Sequence, residues 1–160
     1  MRIIGIDPGI GRCGWGVIDF GKGKLTTLNY GCIETSPKKS VGERLEEVYS
    51  EISKLIKKYS PQVLSIEELF FNNNAKTAFV VGQARGVILL AAAQQKLEIA
   101  IYTPLQVKLA LTGYGRAEKP QVGQMVKVLL KLKEIPKPDD TADGLAIAIT
   151  HAFSNKNLKR

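Results

Sequence analysis

Two apolar runs of strand length, Ile3-Ile4-Gly5-Ile6-Asp7 and Val63-Leu64-Ser65-Ile66-Glu67, flank a stretch with helical periodicity. This triplet constrains the fold more than any other feature of the chain. The helical stretch opens with Ser40-Val41-Gly42-Glu43, the S-x-x-E form of a capping box. Behind it Leu45, Val48, Tyr49, Ile52, Leu55, Ile56 and Tyr59 recur on one face, and Lys54, Lys57 and Lys58 fall on the other. Ser60-Pro61 ends it. Two apolar strands joined through an amphipathic helix imply a right-handed parallel crossover.

The remaining pattern builds on that unit. Residues 14–19 and 25–35 read as strands, joined to the first by short glycine-rich connections, so the first three strands form an antiparallel meander. Residues 75–95 read as a helix that is apolar almost all round, which needs cover on more than one face. Burial within the protomer and burial in a subunit interface are equally good accounts of it. Residues 99–102 form a fifth strand, 104–109 a short helix, 111–117 a glycine-containing loop and 122–132 another helix. Pro136-Lys137-Pro138 leads rigidly into a last helix over residues 140–153. The order predicts an α/β fold with a mixed five-stranded sheet, strand order 3-2-1-4-5, flanked by helices. Residues 1–160 read as one domain, with a short, frayed basic tail from about residue 154.

Carboxylates stand at the ends of these apolar elements, where an unpaired buried charge is expensive. In the predicted sheet, Asp7 and Glu67 end adjacent parallel strands, the place where open α/β sheets put their sites. Asp140 and Asp143, three apart at the start of the last helix, share one of its faces. An Asp at a helix start is commonly just a cap, and either strand-end acid alone is weak evidence. Jointly they point to a metal site. Only cations would hold four converging carboxylates ionised at neutral pH, and oxygen-only ligation suits Mg²⁺ or Mn²⁺. Two such ions can activate a water and stabilise a leaving oxygen in phosphodiester hydrolysis.

A net charge of +8 and a pI near 9.5 fit either a polyanionic partner or a merely solubilising surface. Lys108, Arg116 and Lys119 are placed to reach phosphates, although solvated lysines would look the same. Phe70-Phe71 follows a strand end, where aromatics can stack on unpaired bases, yet paired phenylalanines are more often core. His151, in the last helix, reads as a partly buried or surface residue rather than a ligand. Gly9, Gly11, Gly14 and Gly16 read as a turn between strands, since no G-x-G-x-x-G precedes a helix. Cys13 and Cys32 have neither metal-ligand spacing nor disulfide density, which fits a reducing cytoplasm. Met1 leads directly into a strand, and the apolar stretch 78–93 is broken by Gln83 and Arg85, so neither a leader nor a membrane span is expected.

In order along the chain, Gly5-Ile6-Asp7-Pro8-Gly9, Gly14-Trp15-Gly16, Ile66-Glu67-Glu68-Leu69-Phe70, Gly82-Gln83-Ala84-Arg85-Gly86, Gln106-Val107-Lys108, Ala117-Glu118-Lys119 and the run from Asp140 to Ala148 resemble the RuvC crossover junction endodeoxyribonucleases, the Holliday junction resolvases. The resemblance implies an RNase H-like fold and a homodimer built on the helix around residues 82–93. It implies paired, Mg²⁺-dependent nicks on opposed strands of a four-way DNA junction in recombination and repair, two ions per site, with Mn²⁺ able to substitute. The ends would be 5′-phosphate and 3′-hydroxyl. By motif, Asp7, Glu67, Asp140 and Asp143 would be the catalytic metal-binding acids, chosen over the adjacent Glu68 and Asp139. Lys108 and Lys119 would serve catalysis and DNA backbone contact, and Phe70 would stack near the opened junction centre; Phe71 is a DNA-contact candidate from its place in the Phe70-Phe71 pair alone. The RuvA–RuvB branch-migration complex is the further partner implied. A sugar-kinase or actin-like ATPase also begins with a strand, an Asp and glycines, but needs two related domains and a second phosphate loop. A non-catalytic junction-binding module has no use for four acids that repel phosphates.

Overall fold

In the computed structural model, which describes residues 1–70 and 74–154, the five strands lie in the order predicted. Strands β1 (Arg2–Asp7), β2 (Arg12–Gly21) and β3 (Lys24–Glu34) form the antiparallel meander. Helix α1 (Val41–Tyr59) then carries the chain across to β4 (Val63–Glu67), which pairs parallel with β1 in a register that sets Ile6 opposite Ile66. Helix α2 (Ala75–Gln94) leads to β5 (Glu98–Tyr102), parallel to β4 at the other edge. Helices α3 (Pro104–Thr112), α4 (Lys119–Leu130) and α5 (Asp139–Ser154) complete the described chain.

The capping box at Ser40 forms as its sequence requires: Glu43 N–H donates to Ser40 Oγ at 3.3 Å, and Ser40 N–H to Glu43 Oε2 at 2.7 Å. Val48, Ile52 and Ile56 are the buried stripe of α1. Helices α3 and α4 each depart from the expected bounds by three residues at one end. Helix α3 runs on to Thr112 before Gly113, at φ 71°, takes the left-handed C-cap. Helix α4 begins at Lys119, three residues early, because Gln121 Oε1 accepts the Glu118 N–H at 2.7 Å and Pro120 is tolerated in the first turn.

Alternation along the strands divides the core into two layers. Ile4, Ile6, Leu64 and Ile66 pack against α1 and α2, together with Ile52 and Ile88. Ile3, Ile18 and the apolar length of α5 pack on the opposite face, with Val107, Val122 and Val126 of α3 and α4 closing over them. Asp7 and Glu67 share the parity of Ile3 and Ser65, whose Oγ donates to Ile147 O of α5 at 3.0 Å. Both acids therefore emerge on the α5 side.

Glycines on both sides of the crossing decide how close α5 can come. A Cβ at Gly14 would lie 1.7 Å from Asp140 O, and one at Gly144 would lie 2.8 Å from both N and Cα of Trp15. Main chain rests on main chain at this crossing. Gly14 and Gly16 thus lie within β2, as the strand expected over residues 14–19 places them, and make room for a helix rather than serving the turn; Gly9 and Gly11 do belong to the β1–β2 connection.

Helix α2 is, among the described residues, long and apolar enough to cross a bilayer by those two criteria. Its midpoint carries Arg85, which bonds to the end of β4, so that face lies against the protein. Phe79 and Leu90, 67% and 50% exposed, project from elsewhere on it.

Candidate active site

The four acids come from three elements that the fold brings to one end of the sheet. Asp7 and Glu67 are the last residues of adjacent parallel strands, and Asp140 and Asp143 lie in the first turns of α5. A cleft of about 310 Å³ is lined by Asp7, Glu67 and Asp143, with Lys108 of α3 and Lys119 of α4 on its walls. A second groove of about 600 Å³ has Asp7 and Asp140 on one side, with Arg12 and Lys76 also lining it. Asp7 stands between the two. Asp139, exposed at the first position of α5, instead lines a neighbouring hollow of about 230 Å³ with Lys119, Lys137 and Asp143.

Electrostatics confirm that the carboxylates sense one another. Burial, then Asp143, Glu67 and Asp140, push Asp7 up to about 8, against a small opposing pull from Lys119. Burial and Asp143 push Glu67 to about 7, with Lys119 and Lys108 opposing. Lys119 Nζ lies 3.1 Å from Asp143 Oδ2, and that carboxylate raises the lysine. Asp143 is itself raised, because burial outweighs the lysine's pull. The ion pair is therefore visible in the lysine and masked in the acid. Lys119 is 71% exposed, so the pair is a weak tether rather than an anchor.

This donor set fits hard divalent cations: every candidate ligand is a carboxylate, and the acids cannot all ionise at neutral pH without added positive charge. Among the described residues no three acidic, His or Cys side chains are yet close enough together to hold an ion. The acids converge on shared clefts but do not form a closed cage.

Among the other expected site residues, Lys108 lies in the cleft wall, whereas Arg116 lines none of these three depressions. Phe70 is 55% exposed beyond β4, which removes the core alternative for it. Phe71 and the tail beyond residue 154 lie outside the described residues. His151 is buried, its Nδ1 2.9 Å from Tyr102 Oη, two turns along α5 from Asp143. Arg12, Lys76 and Lys137 were not anticipated. Arg12 follows the glycine-rich connection out of β1, and Lys76 sits in the first turn of α2; both positions border the acids once the strand order is known.

Comparison with known proteins is consistent with this geometry. A match to the family described as Crossover junction endodeoxyribonuclease RuvC spans residues 3–151. A protein of that name from Fusobacterium nucleatum is 56% identical over 154 residues, covering 96% of this chain and 81% of its own. The Thermus thermophilus RuvC structure superposes with a TM-score of 0.91 at 39% identity, covering 98% of this chain and 96% of that one. The same enzyme in complex with a Holliday junction substrate gives 0.90 at 35% identity, with the same coverage.

Proposed function

The chain belongs to the RuvC family of crossover junction endodeoxyribonucleases, and from that premise we propose which of its residues cut and how. It is a structure-selective endonuclease that resolves four-way DNA junctions in homologous recombination and repair, and its family is metal-dependent. The observation that carries the residue assignment is the convergence of Asp7, Glu67 and Asp143 on one cleft, with Asp140 reaching Asp7 from the adjoining groove.

Asp7, Glu67, Asp140 and Asp143 would hold two Mg²⁺, for which Mn²⁺ would substitute. When bound, such ions lower the pKa of an attacking water and offset charge on a departing 3′-oxygen. The chain's own tasks follow from position. Asp7, which lines both depressions, is the central acid of the set. Glu67, Asp140 and Asp143 fix its surroundings. Lys119, exposed and held only by its ion pair, would exchange Asp143 for a phosphate oxygen as DNA enters. Lys108 lies across the same cleft and steadies the backbone. Phe70 and Arg116 contact the junction outside the catalytic cleft, and Phe71 is a further DNA contact.

We take residues 1–160 as one nuclease domain acting in the cytoplasm as a homodimer through the helix around residues 82–93, with the RuvA–RuvB complex as a further partner. Two sites related by a dimer axis suit two symmetric cuts. The test uses labelled four-way and linear DNA with Mg²⁺, Ca²⁺ or EDTA. Paired nicks should form only in the junction and only with Mg²⁺, and binding should weaken steeply with salt. Asp7→Asn should abolish cutting by several orders of magnitude while junction binding persists. Cutting by that variant at the parent's rate would sink the assignment.

A further inference from the structure

The end of β4 lacks a donor that the sheet would normally supply. Glu68 N–H donates to Tyr102 O at 2.7 Å, so the even-numbered position that follows β4 faces β5. Alternation turns the Glu67 carbonyl the other way, towards β1. With Ile6 opposite Ile66, the next donor on that side would be residue 8, and residue 8 is a proline with no N–H. Arg85 of α2 fills the gap: its Nε donates to Glu67 O at 3.2 Å. The guanidinium is placed there at a cost, since its Nη2 is buried without an acceptor among the described residues. Helix α2 runs alongside the chain leaving β4, where a Cβ at Gly82 would meet Leu69 Cδ2 at 3.4 Å.

We infer that Arg85 is a positioning residue, which holds the end of β4 so that the Glu67 carboxylate stays in line with Asp7. It stands in for the strand hydrogen bond that Pro8 cannot make. The inference rests on the proposed role of Glu67 as a metal-holding acid. It also makes α2 the element that governs the catalytic end of β4. Arg85 works through the main chain, so its effect should appear as metal affinity rather than as a change in the chemistry of any ligand.

The test is Mn²⁺ binding to the full-length protein, followed by electron paramagnetic resonance and calorimetry, with thermal stability recorded beside it. Arg85→Met should weaken Mn²⁺ binding about tenfold, the loss usual when a group supporting a ligand is removed. Arg85→Gln, polar but too short to reach, serves if the methionine variant does not fold. Adding Pro8→Ala restores an N–H at the vacant ladder position and should recover Mn²⁺ affinity to within about threefold of the parent, as one regained hydrogen bond allows. Parent-like Mn²⁺ affinity in the Arg85 variants, or no recovery in the double variant, overturns the inference. Glu67→Gln separates the two levels: if it too binds Mn²⁺ like the parent, the role of Glu67 fails; if it alone loses the metal, only the role of Arg85 fails.

Discussion

Helices α5 and α2 are both largely apolar, yet eleven of the sixteen residues of α5 are buried against five of the twenty in α2. The sheet lies under α5 and helices α3 and α4 lie over it, so Leu145, Ile147 and Ile149 lose essentially all their exposure. Helix α2 has α1 and the sheet on one side only, and Phe79 and Leu90 remain in the open. Similar composition thus serves two ends. The first helix is a central strut that carries two acids to their place. The second is half of a surface that asks for another, which is where the proposed dimer would form.

Breaking the α5 side should have the largest effect. Gly14→Ala drives a methyl group into the Asp140 carbonyl, and urea denaturation should show a loss of about 3 kcal/mol or more. A loss below about 0.5 kcal/mol would mean that the crossing is not the fixed contact described.

The second effect is a pH dependence confined to the α5 face. Asp7 and Glu67 are raised to about 8 and about 7, so the metal-free fold binds their protons more tightly than the unfolded chain does. Their destabilising contribution is absent below the unfolded carboxylate range and grows as pH rises, until both have ionised. In EDTA the melting temperature should fall by on the order of 5 °C between pH 5 and pH 8.5, and Mg²⁺ should restore it. Asp7→Asn should flatten most of that slope. A metal-free melting temperature that rises over this interval would contradict the raised values.

Ser65→Ala removes the buried bond to Ile147 O and should cost about 1 kcal/mol in the same denaturation assay. The smallest stability effect belongs to the exposed side. Phe79→Asp with Leu90→Asp should change the stability of the separated protomer by no more than about 0.5 kcal/mol each. Sedimentation should nevertheless show loss of self-association, and cleavage should yield unpaired nicks. A self-association unchanged by both substitutions would place the proposed interface elsewhere.

The sequence made the sheet order legible, because a meander followed by a helical crossover leaves few alternatives, and the adjacency of Asp7 and Glu67 follows from it. The choice of Asp140 over Asp139 needed the family motif; in the structure, Asp140 borders Asp7's groove and Asp139 turns to another hollow. What stayed hidden depended on approach between distant segments. Gly14 and Gly16 look like turn residues until a helix is seen to need the space. The early start of α4 was signalled by Glu118 and Gln121, three apart, but the capping residue was not of the usual Ser or Thr type. The bond from Arg85 to Glu67 O joins residues 18 apart through a main-chain acceptor, and no side-chain pattern announces it.

The contact of Gly14 with the start of α5 has a consequence for altering this enzyme. Where backbone touches backbone there are no rotamers to repack, so the platform bearing Asp140 and Asp143 cannot be shifted by exchanging one core side chain for a slightly larger one. Attempts to adapt the centre to a larger cation by resizing Leu145 or Ile147 should mostly lose stability. The accessible variables are the proposed ligands themselves, two of which end strands β1 and β4.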